Sequence, residues 1–350
     1  MAAKPELKKL HFGDGRAAVS VSEETLVTMQ SLTPGRMLPM VARPAVAGVD
    51  LIAWAKKHRD VIDANLSQCG AILFRGFELR GLEAFAEFTR ATADGGLLAY
   101  TNRSTPRTEV GGNIYTATEY PANQVIPLHN ENSYQSSWPL KIYFFCVTAP
   151  AQGGATPLAN SRRVFARIPP QIREEFAIRG VMYVRNYGDG LDLSWQQVFQ
   201  TGDRSQVEAF CRREGLEFEW KDGDRLRTRQ ICQAVASHPN TGELVWFNQA
   251  HLFHVSSLAP DIREYLITEV KEEDLPRHAY YGDGTPIETS SLADIRAAYK
   301  KETVTFAWQE GDILLLDNML TAHGREPFVG PREILVGMAA PHRVGREAND

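Results

Sequence analysis

The chain has 350 residues, of which 43% are hydrophobic and 23% are charged, and its formal net charge is −5. This composition is ordinary for a globular protein, and a weakly acidic chain without a basic tract is not expected to bind nucleic acid or an anionic membrane as its main partner. The longest apolar runs, such as residues 313–316, are far too short to cross a bilayer, which argues against an integral membrane protein.

The predicted elements alternate irregularly between strands, where β-branched and aromatic residues cluster, and helices, where apolar residues recur at three- and four-residue steps. In chain order they are a strand at 71–77, a helix at 81–93, strands at 141–147 and 181–187, a helix at 205–213, a strand at 243–247, helices at 262–270 and 292–300, and strands at 304–308, 312–317 and 333–338. The last helix is expected to open with a capping box formed by Ser291 and Asp294.

The predicted strands favour an α+β fold with antiparallel sheets. They are joined by Gly/Pro turns, as at residues 324–331, and regular β-α-β alternation is missing. Two facing sheets with helices packed outside fit this pattern. Because no linker, repeat or low-complexity segment divides the chain, we expect a single domain over residues 1–350, with residues 1–20 and 343–350 peripheral.

Three residues far apart in the chain carry the strongest chemical signal. His129 and Glu131 lie in a Pro-Leu-His-Asn-Glu-Asn-Ser-Tyr segment, and His323 lies in an Ala-His-Gly-Arg segment. Residues two apart on a strand point to one face, so His129 and Glu131 are expected to grip one ion while Asn130 points away. Two histidines and one carboxylate are the ligand set of non-haem Fe(II) oxygenases, which leaves coordination positions open. Arg332, nine residues after His323, is placed to clamp the far carboxylate of a bound keto acid.

Other interpretations of these residues stay open. A lone His-x-Glu triplet is a weak motif, since most such triplets are ordinary polar residues. Two histidines and a glutamate also make catalytic zinc sites, although the helical His-Glu-x-x-His of zinc proteases is absent and a hydrolase has no obvious use for the arginine. A non-catalytic binding protein that keeps the fold without turnover is the alternative from another functional class.

The order and the amino-acid sequences of several segments resemble those of the taurine/2,4-dichlorophenoxyacetate dioxygenase (TauD/TfdA) family of Fe(II)/2-oxoglutarate oxygenases. The likeness runs from the Gly-Ala-Ile-Leu-Phe-Arg-Gly-Phe segment at residues 70–77 to Ala339, and includes Trp-Phe-Asn-Gln-Ala-His-Leu-Phe-His at residues 246–254. It is strongest to the branch with syringomycin-type aspartyl β-hydroxylases of peptide antibiotic assembly. The resemblance implies a clavaminate-synthase-like double-stranded β-helix, or jelly roll, surrounded by helices.

The resemblance also implies roles for individual residues. His129, Glu131 and His323 are similar to the iron ligands, while Thr156 and Arg332 are similar to the residues that bind the distal carboxylate of 2-oxoglutarate. Thr156 belongs to a Gly-Gly-Ala-Thr segment in which Ala155 replaces the acid common in the family, which puts one local hydrogen bond in doubt.

The jelly roll implies a position for each of these residues and for several neighbours. We expect His323 on the loop after the strand at 312–317, and Arg332 at the start of the returning strand. Asp317 and Asn318 are candidates to orient His323 or to cap the strand end, and Arg325 is an alternative clamp. The likeness places Arg103 and Arg107 over the active-site mouth as expected substrate contacts. Asn248 and His251, which lie in an apolar aromatic run, are the other candidates for substrate binding, with His254 as a further pocket residue.

The implied reaction uses Fe(II), 2-oxoglutarate and O₂ to hydroxylate an unactivated C–H bond of an amino acid or a carrier-tethered aminoacyl group, with release of succinate and CO₂. Because Glu131 is present, halogenation is not expected, whereas desaturation and epoxidation use the same ligands. An acyl or peptidyl carrier protein is the expected partner, and antibiotic biosynthesis the expected setting. The first residues carry no apolar signal segment, and four cysteines without C-x-x-C spacing favour reduced thiols, so a cytoplasmic location is expected.

Overall fold

The computed structural model of the chain describes residues 26–100, 107–188 and 190–343. The strands are β1 Val27–Thr33, β2 Arg36–Pro44, β3 Ala71–Phe74, β4 Glu109–Gly111, β5 Ile114–Thr116, β6 Ile126–His129, β7 Ser137–Thr148, β8 Gln152–Gly153, β9 Leu158–Asn160, β10 Val181–Tyr187, β11 Glu217–Lys221, β12 Arg225–Cys232, β13 Val235–Ser237, β14 Leu244–Trp246, β15 Arg277–Tyr281, β16 Ile313–Asp317, β17 Thr321–Arg325, β18 Phe328–Val329 and β19 Glu333–Arg343. The α-helices are α1 Leu51–Lys57, α2 Arg59–Cys69, α3 Gly81–Thr92, α4 Ser161–Arg167, α5 Pro170–Arg179, α6 Trp195–Phe199, α7 Arg204–Glu214, α8 Ala250–Phe253, α9 Pro260–Glu269 and α10 Thr289–Glu302. None of the helices in these described ranges is long and apolar enough to span a membrane.

The largest sheet has eight strands in the order β1-β2-β3-β16-β7-β19-β5-β4. The pair β2 and β3 runs parallel, and the other neighbours run antiparallel. Alternate side chains of a strand point to opposite faces of the sheet, and in the central strands the side chains on both faces are buried. Tyr143 and Phe145 of β7 pack in a cluster with α1, α2 and α3, whereas Phe144 and Cys146 pack on the opposite face.

A smaller sheet of β6, β17 and β9 faces the inner side of the large one, and β8 and β18 form a separate two-stranded ribbon. Leu158 of β9 belongs to the cluster of Phe144 and Cys146, so the two sheets share one apolar layer. Two mainly antiparallel sheets enclosing a core, with helices outside, make the double-stranded β-helix that the family resemblance implies. The α+β fold prediction is confirmed.

A further four-stranded sheet, β11-β12-β10-β15, lies beside this core. At one end of the sheet, Tyr187 and Leu226 pack with α6 and α7 in a separate apolar cluster. At the other end of the same face, Val181 and Cys232 contribute to a cluster shared with α4, α5, α8 and α10. Ala159 of β9 and Ala322 of β17 belong to this second cluster, so these helices pack against the small sheet that carries His129 and His323.

Two predicted elements are wrong. Residues 304–308 form no strand; Val304 makes a single bridge to Leu158, and beyond it the Ala307 carbonyl accepts a hydrogen bond from the Arg75 side chain. The predicted capping box is also absent, because α10 begins at Thr289 and thus already contains Ser291. The structure has a capping box at the start of α6 instead, formed by Ser194 and Gln197.

Candidate metal centre

His129, Glu131 and His323 converge at one point beside the small sheet. Strands β6 and β17 pair antiparallel with His129 directly opposite His323, and the two ring centroids lie 4.5 Å apart. One potential ligand atom from each of the three side chains lies within 4.8 Å of the others. The sheet register therefore brings together residues that are nearly two hundred positions apart in sequence.

Glu131 reaches this point by a different route from the one predicted. Strand β6 ends at His129, so Glu131 lies in the following turn and not on the strand. The buried amide of Asn318 fixes that turn: its Oδ1 accepts from the Glu131 N–H at 2.7 Å, and its Nδ2 donates to the Glu131 and Pro139 carbonyls at 2.9 Å. Asn130 does point away, as predicted, and donates to the Asn318 carbonyl at 2.6 Å.

His323 lies inside strand β17, whereas the sequence predicted a loop position. The chain reverses sooner than expected, because Asp317 Oδ1 accepts hydrogen bonds from the Met319 and Leu320 N–H groups at 3.0 Å. The other oxygen of Asp317 accepts from His238 Nε2 at 2.9 Å. Asp317 therefore caps the turn, and its bonds do not reach His323.

The two imidazoles are held in a form suited to metal binding. The Nδ1 of His129 donates to the Pro127 carbonyl at 2.8 Å, which leaves the Nε2 lone pair for a ligand. Among the described residues, nothing forms a hydrogen bond with the buried Nδ1 of His323. Burial lowers the pKa of His129, with partial compensation from the Glu131 carboxylate, and burial together with His129 and Arg107 holds the pKa of His323 well below its usual value. Two neutral imidazoles and a carboxylate fit a divalent cation.

Arg107 lies against the candidate metal ligands and not at the protein surface. Its Nη2 donates to Glu131 Oε2 at 2.7 Å, and both side chains are almost completely buried. Its guanidinium also lies 4.5 Å from the ring centre of Tyr100. Burial alone would lower the pKa of Arg107, but the Glu131 carboxylate outweighs it and raises the pKa above the usual value. Arg103, the other predicted substrate arginine, lies outside the described residues.

The candidate 2-oxoglutarate clamp lies on the Gly-Gly-Ala-Thr segment. Arg332, directly before β19, donates from Nε to the Gly154 carbonyl at 3.3 Å. A Cβ at Gly154 would lie 2.7 Å from Pro150 Cγ and 3.2 Å from Arg332 Cδ, so glycine is required for this close packing. Thr156 is buried, and its Oγ1 accepts from the indole of Trp308 at 3.0 Å. Burial and the charge of Arg325 lower the pKa of Arg332 to about 10, which leaves it charged at neutral pH.

Arg325 is engaged elsewhere. Its guanidinium donates to the backbone carbonyls of Tyr120, Pro121 and Gln124 at 2.6–2.9 Å, so it ties the segment before β6 to strand β17. This role leaves Arg332 as the candidate clamp.

The remaining pocket candidates differ in position. His251 is buried beside β6, where it stacks on Tyr299 at 4.6 Å and its Nε2 lies 3.4 Å from the Leu128 carbonyl. Asn248 is a structural residue, since its amide binds the Ala234 carbonyl and the Ala250 N–H and is fully buried. His254 accepts from the Ser256 N–H and thereby caps a 3-10 turn.

The chain is similar in sequence to a known family and to known proteins. The model of the family described as "Taurine catabolism dioxygenase TauD, TfdA family" matches residues 30–339. The dapdiamide synthesis protein DdaC of Enterobacter agglomerans is 41% identical over 288 residues, which cover 82% of this chain and 87% of that protein. A clavaminate synthase-like protein of Arabidopsis thaliana is 29% identical over 333 residues, which cover 90% of this chain and 97% of that protein.

Solved structures share the fold at low sequence identity. PvcB of Pseudomonas aeruginosa superimposes with a TM-score of 0.56 and 15% identity, covering 93% of this chain and 95% of that one. A second structure of PvcB, described as an Fe, alpha-ketoglutarate dependent oxygenase from an isonitrile synthetic pathway, gives the same TM-score and identity and covers 95% of this chain and 98% of that one.

Proposed function

Because the chain belongs to the taurine catabolism dioxygenase TauD, TfdA family, we propose hydroxylation of an unactivated C–H bond as its reaction and an amino acid or carrier-tethered aminoacyl group as its substrate. Enzymes of this family are dioxygenases that use Fe(II), 2-oxoglutarate and O₂, and this chain is one of them. The match over residues 30–339 supports a single catalytic domain. The predicted peripheral segments, 1–20 and 343–350, lie outside the described residues except for Arg343.

His129, Glu131 and His323 are the proposed iron ligands. The observation that carries this assignment is the register of β6 and β17, which sets the two histidines opposite each other beside Glu131, whose backbone is held by Asn318. Three protein ligands leave room on an iron for a chelating keto acid and for O₂. The apolar side chain of Phe144, whose ring centroid lies 5.2 Å from that of His323, helps to keep water away from the ligands.

Arg332 and Thr156 are the proposed binders of the distal 2-oxoglutarate carboxylate. The planar guanidinium of Arg332 can donate two parallel hydrogen bonds to a carboxylate, which a lysine cannot do. The hydroxyl of Thr156 is held by Trp308 as an acceptor, so its own proton remains available for a carboxylate oxygen. When bound, iron with 2-oxoglutarate and O₂ supplies the oxidising power for C–H attack, with succinate and CO₂ as co-products.

Glu131 bears on the type of product. A carboxylate at this position occupies the place that a halide needs in related halogenases, so hydroxylation is favoured over halogenation. Desaturation or epoxidation of a related small acid or amide uses the same ligands and is the alternative outcome.

The substrate class rests on the relatives. The similarity to a dapdiamide synthesis protein supports a role in natural-product, antibiotic-type biosynthesis, and the likeness to syringomycin-type hydroxylases supports an aminoacyl substrate. An acyl or peptidyl carrier protein is the proposed partner and the cytoplasm the proposed location. His251, buried beside Leu128 of β6, is the described residue we propose to contact the substrate.

Turnover against a panel of substrates tests this proposal. Free amino acids and the same amino acids loaded on a carrier protein would be incubated with Fe(II), 2-oxoglutarate and O₂, and succinate and product masses measured. We expect a gain of one oxygen atom in one substrate, with matching succinate. Loss of two hydrogens would indicate desaturation, and hydrolysis without succinate would indicate a zinc-type hydrolase. Tight binding without succinate would indicate a non-catalytic binding protein.

A further inference from the structure

We propose that Arg107 is a positioning residue that makes Glu131 a ligand through one oxygen only. Its guanidinium holds Oε2, so that Oε1 alone is offered to the metal. This inference rests on the ligand set of the proposed function and adds a residue to it. It also replaces the predicted role of Arg107 as a substrate contact.

The ion pair is short, buried and rigidly supported. The Arg107 Nη2 to Glu131 Oε2 distance is 2.7 Å, and the side chains are 4% and 3% exposed. The guanidinium lies 4.5 Å from the ring centre of Tyr100, which is itself 2% exposed. Tyr100 is in turn anchored through its backbone, because its N–H donates to the Tyr115 hydroxyl at 3.0 Å and its carbonyl accepts from Gln200.

Glu131 is therefore held from both ends. Asn318 fixes its backbone on one side, and Arg107 fixes one carboxylate oxygen on the other. A carboxylate held in this way keeps its orientation whether or not a cation is present. Few other orientations are open to it, because leaving Arg107 would strand two buried charges without partners.

Coordination chemistry explains why one oxygen matters. Carboxylates bind metals through one oxygen or through both, and an octahedral ion has six positions. Two imidazoles and a two-oxygen carboxylate would leave two positions, which a chelating keto acid fills completely. With one carboxylate oxygen, a third position stays open for O₂. Arg107 thus protects the O₂ position by occupying the competing oxygen atom.

The direct test is a structure of the wild-type protein crystallised anaerobically with Fe(II) and 2-oxoglutarate. We expect one Glu131 oxygen on iron and the other still hydrogen-bonded to Arg107. A Glu131 bound through both oxygens, or an Arg107 that has turned to 2-oxoglutarate, would overturn the inference. This readout needs no variant and no turnover.

Two variants extend the test to solution. Arg107→Met removes the donor, and we expect a shifted iron–2-oxoglutarate charge-transfer band and a loss of O₂-dependent succinate formation of roughly ten- to a hundredfold, the range for one charge-assisted hydrogen bond. Arg107→Lys keeps a donor and should recover most of the band position and part of the rate.

A matched control separates positioning from folding. Arg227 is another buried arginine, with Nη2 2.7 Å from Asp274 Oδ1, but it lies in the sheet beside the core. Arg227→Met should cost stability without moving the band. An unshifted band and full coupling in Arg107→Met would refute the inference, whereas a wild-type protein without any band would refute the proposed function instead.

Discussion

Replacing Asn318 by alanine should weaken both the fold and iron binding. The side-chain amide makes three buried hydrogen bonds, to the N–H and carbonyl of Glu131 and to the carbonyl of Pro139. Each buried group that loses its partner costs about 1–3 kcal/mol. We expect the lower part of the summed range, about 3–5 kcal/mol, because water can enter the space left by the side chain. The turn that carries Glu131 then loosens, and iron affinity should fall roughly ten- to a hundredfold, as for other changes to groups that orient metal ligands.

The assay combines chemical denaturation of the metal-free protein with anaerobic Fe(II) titration of the folded protein. Asn186→Ala is the matched control, because the buried Asn186 side chain also makes three hydrogen bonds, to the carbonyls of Glu273 and Leu275 and from Arg227. Both variants should lose similar stability, but only Asn318→Ala should lose iron affinity. Equal iron affinity in the two variants would refute the role assigned to Asn318.

Three other perturbations give separate checks. Glu131→Ala should abolish product formation and weaken Fe(II) binding while the protein still folds, and coupled turnover near the wild-type rate would show that the ligand assignment is wrong. Arg332→Lys should weaken the apparent affinity for 2-oxoglutarate by about one to two decades, because that is the value of one hydrogen bond to a charged group, and it should change iron affinity little. If Arg325→Lys weakened 2-oxoglutarate binding instead, the clamp would be Arg325. Burial lowers the pKa of His254 and of His278 to about 4, so between about pH 6.5 and pH 4 the unfolded chain binds protons that the folded chain does not. The stability of the metal-free protein should therefore fall as the pH drops through this range. His278→Gln should flatten this dependence in denaturation curves measured across the same range.

The parts of the fold that the sequence predicts well are those whose signal is local. Strand β10, Val181–Tyr187, has the predicted bounds, because a run of β-forming residues, all buried except the half-buried Met182, ends at a glycine. Helix α3, Gly81–Thr92, ends one residue before its predicted end, since its phenylalanines recur on one face. Residues 304–308 carry the same β-type composition but find no neighbouring strand beyond one bridge, and a strand without a partner does not form.

In the candidate site, too, the sequence predicts some features and misses others. The identities of His129, Glu131 and His323 are visible in the sequence, but the strand periodicity used to align them fails at Glu131, which a distant asparagine holds in a turn. Nothing near Arg107 in sequence indicates that it binds the carboxylate of Glu131. Such contacts depend on long-range packing, for which a single sequence carries no local signal.

An anaerobic titration of the protein with Fe(II) and 2-oxoglutarate tests the central claim most directly. The account predicts stoichiometric Fe(II) binding and a weak visible charge-transfer band that requires both components, appears in the wild type and is lost in His323→Ala. Stoichiometric metal binding with no band upon 2-oxoglutarate addition, or a band of equal strength in His323→Ala, would contradict it.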